Sequence, residues 1–80
     1  MMINYKVGKE RILKNFDSVQ MVYIRKGGLF TDSVYNVVAI SGSEQVVLYS
    51  GLNEKKAKHM VAEISFACGN PLLGGGVYYV

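Results

Sequence analysis

The chain has 80 residues, of which half are hydrophobic and 19% are charged, and its formal net charge is +3. This composition excludes intrinsic disorder, which needs low hydrophobicity together with a high net charge. The length allows one domain, residues 1–80, with a thin margin of stability, because a chain this short buries only about 60% of its unfolded surface. Charged residues are few for so small a body. We therefore expect some apolar surface to stay exposed unless a second copy covers it.

Cysteine content and hydropathy indicate the compartment. The single cysteine, Cys68, cannot form an intramolecular disulfide, which a secreted chain of this size would need. Residues 1–8 contain no apolar core of a signal peptide. The longest uncharged stretch, residues 64–80, is interrupted by glycines and a proline, whereas a membrane-spanning helix needs about 20 predominantly apolar residues. We expect a cytoplasmic protein with no membrane partner.

The first predicted element is a strand over residues 3–7, where apolar and polar side chains alternate. In the next segment apolar residues are spaced at i, i+1 and i+4, which predicts one short helix over residues 9–16. A strand over residues 11–16 remains the alternative.

Three β-rich runs follow, over residues 19–26, 34–41 and 44–50, and they are rich in β-branched and aromatic residues. Gly42 separates the last two. Because glycine adopts a positive φ without steric cost, Ser41-Gly42-Ser43 predicts a tight hairpin turn.

Both faces of these strands are apolar. In the last run Val46 and Leu48 alternate with Val47 and Tyr49. A sheet with one face in water should instead alternate apolar with polar residues. We expect both faces to be covered, although one helix covers only one of them.

The clearest pattern is that of an amphipathic helix over Asn53–Cys68. Asn53 is the expected N-cap, and Gly69 is expected to stop the helix in the left-handed conformation. One apolar stripe at helical spacing consists of Ala57, Met60, Val61, Ile64, Ala67 and Cys68. Together the elements predict an α+β fold, in which an antiparallel β-meander of three to four strands packs on this helix. A short extra strand is expected at the C-terminus.

Catalytic chemistry is not indicated. The only histidine, His59, lies on a different face of the predicted helix from Cys68, so the two cannot form a nucleophile–base pair. His59 and Glu63 could share a metal ion, but no other histidine or cysteine completes a site. We expect neither an enzyme nor a cofactor nor a metal.

Two groups of residues are candidates for binding charged ligands. The start of the helix combines free backbone N–H groups with lysines, which favours an anion there unless the lysines are merely solvated. A basic and aromatic patch, in a segment 1–30 that has six basic and two acidic residues, favours nucleic acid. The anion candidates are Asn53, Lys55, Lys56 and Lys58, and the nucleic-acid candidates are Tyr23, Arg25, Lys26, Phe30 and Tyr35.

Self-association is the function that the composition favours. We expect an interface formed by strand residues that point away from the helix and by the C-terminal tail, which either joins a neighbouring copy or folds back onto its own sheet. The interface candidates are Tyr35, Val37, Val47, Tyr49, Val77, Tyr78, Tyr79 and Val80. The sequence thus predicts a small non-enzymatic interaction module acting as a homo-oligomer. A small nucleic-acid-binding or regulatory protein is the alternative.

Overall fold

A computed structural model describes residues 1–24, 34–69 and 76–80. These residues form six strands and one helix. In chain order they are β1 (Met2–Val7), β2 (Glu10–Asn15), β3 (Ser18–Ile24), β4 (Val34–Ser41), β5 (Glu44–Leu52), α1 (Glu54–Gly69) and β6 (Val77–Tyr79).

The strands form two three-stranded sheets. The meander sheet has the order β3-β4-β5 and is antiparallel throughout, as predicted. The N-terminal sheet has the order β2-β1-β6, in which β1 is antiparallel to β2 and parallel to β6. The α+β fold, with a meander packed on one C-terminal helix and an extra strand after it, is therefore confirmed.

The helix predicted over residues 9–16 is wrong, because this segment forms β2. An isolated helix of two turns is marginal in water. Pairing with β1 instead hydrogen-bonds the backbone groups of β2 that face β1, and it sets Ile12 opposite the buried Tyr5. Gly8, at a φ of 61°, makes the tight turn between the two strands.

The link between β2 and β3 joins the two sheets. The N–H of Phe16 donates to the carbonyl of Met1, and the next N–H, that of Asp17, donates to the carbonyl of Ile40 in β4, both at 2.7 Å. Successive N–H groups of an extended chain point to opposite sides. At this link the chain therefore hydrogen-bonds to the N-terminal sheet on one side and to the meander sheet on the other.

Helix α1 lies where the sequence predicts it. The Asn53 side-chain oxygen accepts the N–H of Lys56 at 2.8 Å, which is an N-cap bond. Gly69 is the last helical residue and does not have the positive φ of the predicted left-handed stop, so that part of the prediction is wrong. Ala57 and Ile64 are fully buried at its inner face. Both sheets and the helix share one core, which consists of Ile3, Tyr5, Phe16, Val19, Val37, Ala39, Leu48, Ala57 and Ile64.

A β-bulge interrupts the pairing of β4 with β5. Val38 lies opposite Val47, but the next paired residues are Val37 and Tyr49, so that Leu48 is an extra residue. As a result Leu48 and Tyr49 both pack on the core side of the meander sheet. The predicted hairpin turn is confirmed beside it, with Gly42 at a φ of 60°.

Candidate interaction surface

The outer face is the face of the meander sheet that lies opposite the core. Val37 and Ala39 point into the core, and side chains alternate along a strand. The strand register then assigns the neighbouring positions to the outer face: Ser18, Gln20, Val22, Ile24, Val34, Asn36, Val38, Ile40, Gln45 and Val47. None of these ten side chains is charged.

The exposure of the outer face differs between its centre and its edges. Val38, in the central strand, is 4% exposed, whereas Val22 on β3 and Val47 on β5 are 36% and 56% exposed. Each edge strand therefore presents an apolar side chain to solvent. The outer face is an uncharged and partly apolar surface.

Three of the predicted outward residues have a different position. Val37 is fully buried in the core, and Tyr35 and Tyr49 are half-buried against it. Their predicted outward orientation is wrong, because Tyr35 and Val37 occupy the core-facing positions of β4 and the bulge at Leu48 returns Tyr49 to the core. Val47 does lie on the outer face.

The C-terminal tail pairs with its own chain. β6 lies beside β1, and Tyr78 packs against the core with its hydroxyl 3.6 Å from the Sδ atom of Met60. This burial raises the pKa of Tyr78. The Val80 N–H donates to the carbonyl of Asn4 at 2.9 Å. Val77 is half-buried and Tyr79 is exposed, so the tail contributes to the core of its own chain and presents one tyrosine to solvent.

The anion candidates surround a hollow at the start of α1. A cavity of about 520 Å³ is lined by Leu52, Asn53, Lys55, Lys56, His59 and Met60. Two of the candidates already have partners: the Asn53 side chain caps the helix, and Lys58 Nζ lies 3.0 Å from Glu54 Oε1. The two exposed lysines at the cavity therefore remain as candidate anion ligands.

The nucleic-acid candidates are described only in part. Tyr23 and Tyr35 form an edge-to-face pair with ring centroids 5.5 Å apart, and the Tyr23 ring is exposed. Arg25, Lys26 and Phe30 lie outside the described residues.

The reactive side chains of α1 lie apart. The Cys68 thiol donates to the carbonyl of Met2 at 3.4 Å, and burial raises the pKa of this thiol. His59 is exposed, with its Nε2 atom 3.9 Å from Glu63 Oε2. Cys68 follows His59 by nine positions in the helix, or about 13 Å along the axis. In the described part of the chain, no three His, Cys, Asp or Glu side chains gather where they could hold a metal ion.

Comparison with known proteins finds no significant match to any protein-family model, curated protein or solved structure. Over residues 1–24, 34–69 and 76–80, the structure has no helix with the length and apolarity that crossing a bilayer requires.

Sequence reasoning missed Val22, Val38 and Ile40 as members of the outer face. The signal was present in β3, whose seven residues include no charged side chain. Which of these residues share one face of the sheet follows only from the register with β4.

Proposed function

We propose that this protein is a small non-enzymatic interaction module that acts as a homo-oligomer in the cytoplasm. The observation that supports this most directly is the uncharged outer face of the meander sheet. A sheet face in water usually carries polar and charged side chains, whereas exposed apolar patches mark interaction sites.

The size of the outer face suggests the strength of association. Three strands about 4.8 Å apart and about seven residues long present roughly 330 Å² of projected area. A stable interface buries about 800 Å² on each partner. The outer face alone therefore supports a weak, reversible association in the micromolar range or above.

The non-enzymatic part of the proposal is supported by the separation of the reactive groups. Cys68 donates its hydrogen bond to a backbone carbonyl, and burial raises its pKa, which disfavours the nucleophilic thiolate. His59 is exposed, about 13 Å further along the helix, and so is too far away to act as its base.

Sedimentation velocity of the intact chain tests the proposal across protein concentrations from micromolar to millimolar. We expect the weight-average mass to rise with concentration, because a weak self-association is populated by mass action. A mass that stays at 8.8 kDa over the whole range contradicts the proposal.

The alternative function, binding of single-stranded nucleic acid, is favoured by the Tyr23–Tyr35 pair. Exposed aromatic rings serve as stacking platforms for bases. Fluorescence anisotropy of a labelled oligonucleotide tests it, with Tyr23→Leu as the variant that removes the exposed ring. Specific stacking predicts weaker binding by the variant and a steep loss of affinity with salt. No binding at low salt rules this alternative out.

A further inference from the structure

The two sheets have four edges, which are formed by β2, β6, β3 and β5. An edge strand presents a row of unpaired N–H and C=O groups that can pair with another chain. Natural proteins block such pairing with charged side chains, bulges, prolines or very short strands. The four edges of this protein differ in whether they carry such protection.

Three of the edges are protected. Strand β2 carries Glu10, Arg11 and Lys14 among its six residues. Strand β6 is only three residues long. Strand β5 is bulged at Leu48, which twists the strand and breaks its even spacing.

Strand β3 has none of these features. Its seven residues, SVQMVYI, contain no charge and no proline, and they pair with β4 in an unbroken register from Ser18↔Ile40 to Ile24↔Val34. Every second residue turns its N–H and C=O away from β4. Among the described residues, β4 is the only strand paired with β3, and no other backbone group hydrogen-bonds to it. Ser18, Gln20, Val22 and Tyr23 are exposed.

We propose that β3 is the seam of the oligomer, where it pairs antiparallel with β3 of a second copy across a two-fold axis. This inference rests on the proposed function, self-association, and it puts the contact at the β3 edge of the outer face instead of across the whole face. The pairing joins two meander sheets into one sheet of six strands, which is a common size. It satisfies the free backbone groups of both edges and places the two uncharged outer faces side by side.

A second copy suits this edge better than a charged partner. A two-fold contact sets each residue of β3 against the same short stretch in the other chain. Like charges directly opposite each other would destabilise such a pair, and β3 carries none. A partner strand with charged side chains would have no opposite charge to pair with on β3.

The competing geometry is a stack of two outer faces, and one matched pair of variants separates the two. Val22 and Val47 are both exposed valines of the outer face, but they lie on opposite edge strands of the same sheet. Pairing through β3 places Val22 at the seam and Val47 two strands away from it. Stacking of the faces buries both valines.

The experiment is sedimentation of Val22→Lys and Val47→Lys beside the wild type, with circular dichroism to establish that each variant is folded. We expect Val22→Lys to weaken association at least tenfold and Val47→Lys to change it less than twofold. An equal loss in both variants, or a loss in Val47→Lys alone, overturns pairing through β3 while self-association stands. A wild type that is monomeric at every concentration contradicts the proposed function itself.

Hydrogen exchange gives a second readout that needs no variant. Pairing through β3 predicts that amides of Ser18–Ile24 which exchange fast in dilute protein become protected in concentrated protein. Unchanged exchange of these amides in samples that sedimentation shows to be associated overturns the proposal. Should Val22→Lys fail to fold, Gln20→Lys with Gln45→Lys as its control repeats the comparison, because these residues also lie on β3 and β5.

Discussion

The two faces of the meander sheet have similar side chains and different neighbours. The inner face presents Val19, Val37 and Ala39, which are buried against the helix and the N-terminal sheet. The outer face presents Val22 and Val47, which are in solvent. Both are built from the same three strands, and residues one position apart belong to opposite faces.

The difference between the faces lies in what covers them. Helix α1 follows β5 directly and packs its buried stripe on the inner face. No described element packs on the outer face, although that face has no charged side chain. The outer face therefore has the composition of a contact surface, and no partner for it lies among the described residues of its own chain.

A substitution in helix α1, which covers the inner face, should have the largest effect on the free energy of unfolding. Ile64 is fully buried at the centre of the helix stripe, so Ile64→Ala should lower the free energy of unfolding by about 2–5 kcal/mol. Lys58→Ala, on the exposed side of the helix, should change it by about 0.5 kcal/mol or less. Thermal or urea unfolding measures both, and equal effects would contradict the assignment of the inner face.

The same valine-to-alanine change should lower the free energy of unfolding more on the inner face than on the outer face. Val37→Ala removes two buried methyl groups and leaves a cavity, which should cost about 2–3 kcal/mol. Val47→Ala should cost about 0.5 kcal/mol or less when it is measured in dilute protein, where oligomers are not populated. A cost of about 2 kcal/mol for Val47→Ala would mean that the outer face is covered within the monomer.

A substitution in the turn that sets the register of β4 and β5 should have a smaller effect on the free energy of unfolding. Gly42 has a φ of 60°, and a Cβ added there would meet nothing within 4 Å, so Gly42→Ala suffers only the strain of a left-handed backbone, about 1 kcal/mol. Gly42→Asn should cost less, because asparagine tolerates this conformation. Urea unfolding compares the two variants, and an equal or larger cost for asparagine would contradict the positive φ.

The smallest effect should come from the ion pair between Lys14 and Glu44, which connects the N-terminal sheet to the start of β5. The hydrogen bond to Lys14 holds the pKa of the Glu44 carboxylate below its ordinary value. A lowered folded-state pKa stabilises the protein above the unfolded pKa, about 4.3, and this stabilisation is lost as pH falls through the folded value.

Glu44→Gln should therefore be slightly destabilising at pH 7, and the difference from the wild type should vanish in acid. Unfolding curves at pH 7 and pH 3 measure this change. Because both side chains are partly in solvent, high salt should reduce the difference at pH 7 as well. A difference that grows as the pH falls would contradict the lowered pKa of Glu44.

The helix could be predicted from the sequence because its signals agree with one another. The apolar stripe repeats at 3.6 residues and Asn53 supplies a cap, and both signals are local. For residues 9–16 the local signals and the structure disagree. Their local spacing suits a helix, and the strand they form depends on pairing with β1.

The orientation of the strands could be predicted only in part. Where both alternating sets of a strand are apolar, the pattern does not say which set meets the helix, so Tyr35 and Val37 were assigned to the wrong side. Tyr49 required a further fact, since the extra residue Leu48 shifts the alternation within β5. A bulge of this kind depends on the partner strand and leaves no local signal in the sequence.

The parallel pairing of β1 with β6 has a consequence for the order of folding. Met2 lies opposite Val77, a separation of 75 residues in the sequence. Contacts of such long range form slowly, because the entropy of closing the loop is lost before any contact energy is gained. During synthesis β1 emerges before β6 and has one edge open until β6 follows. The helix and the meander, which need only nearby residues, can be in place before this pair closes.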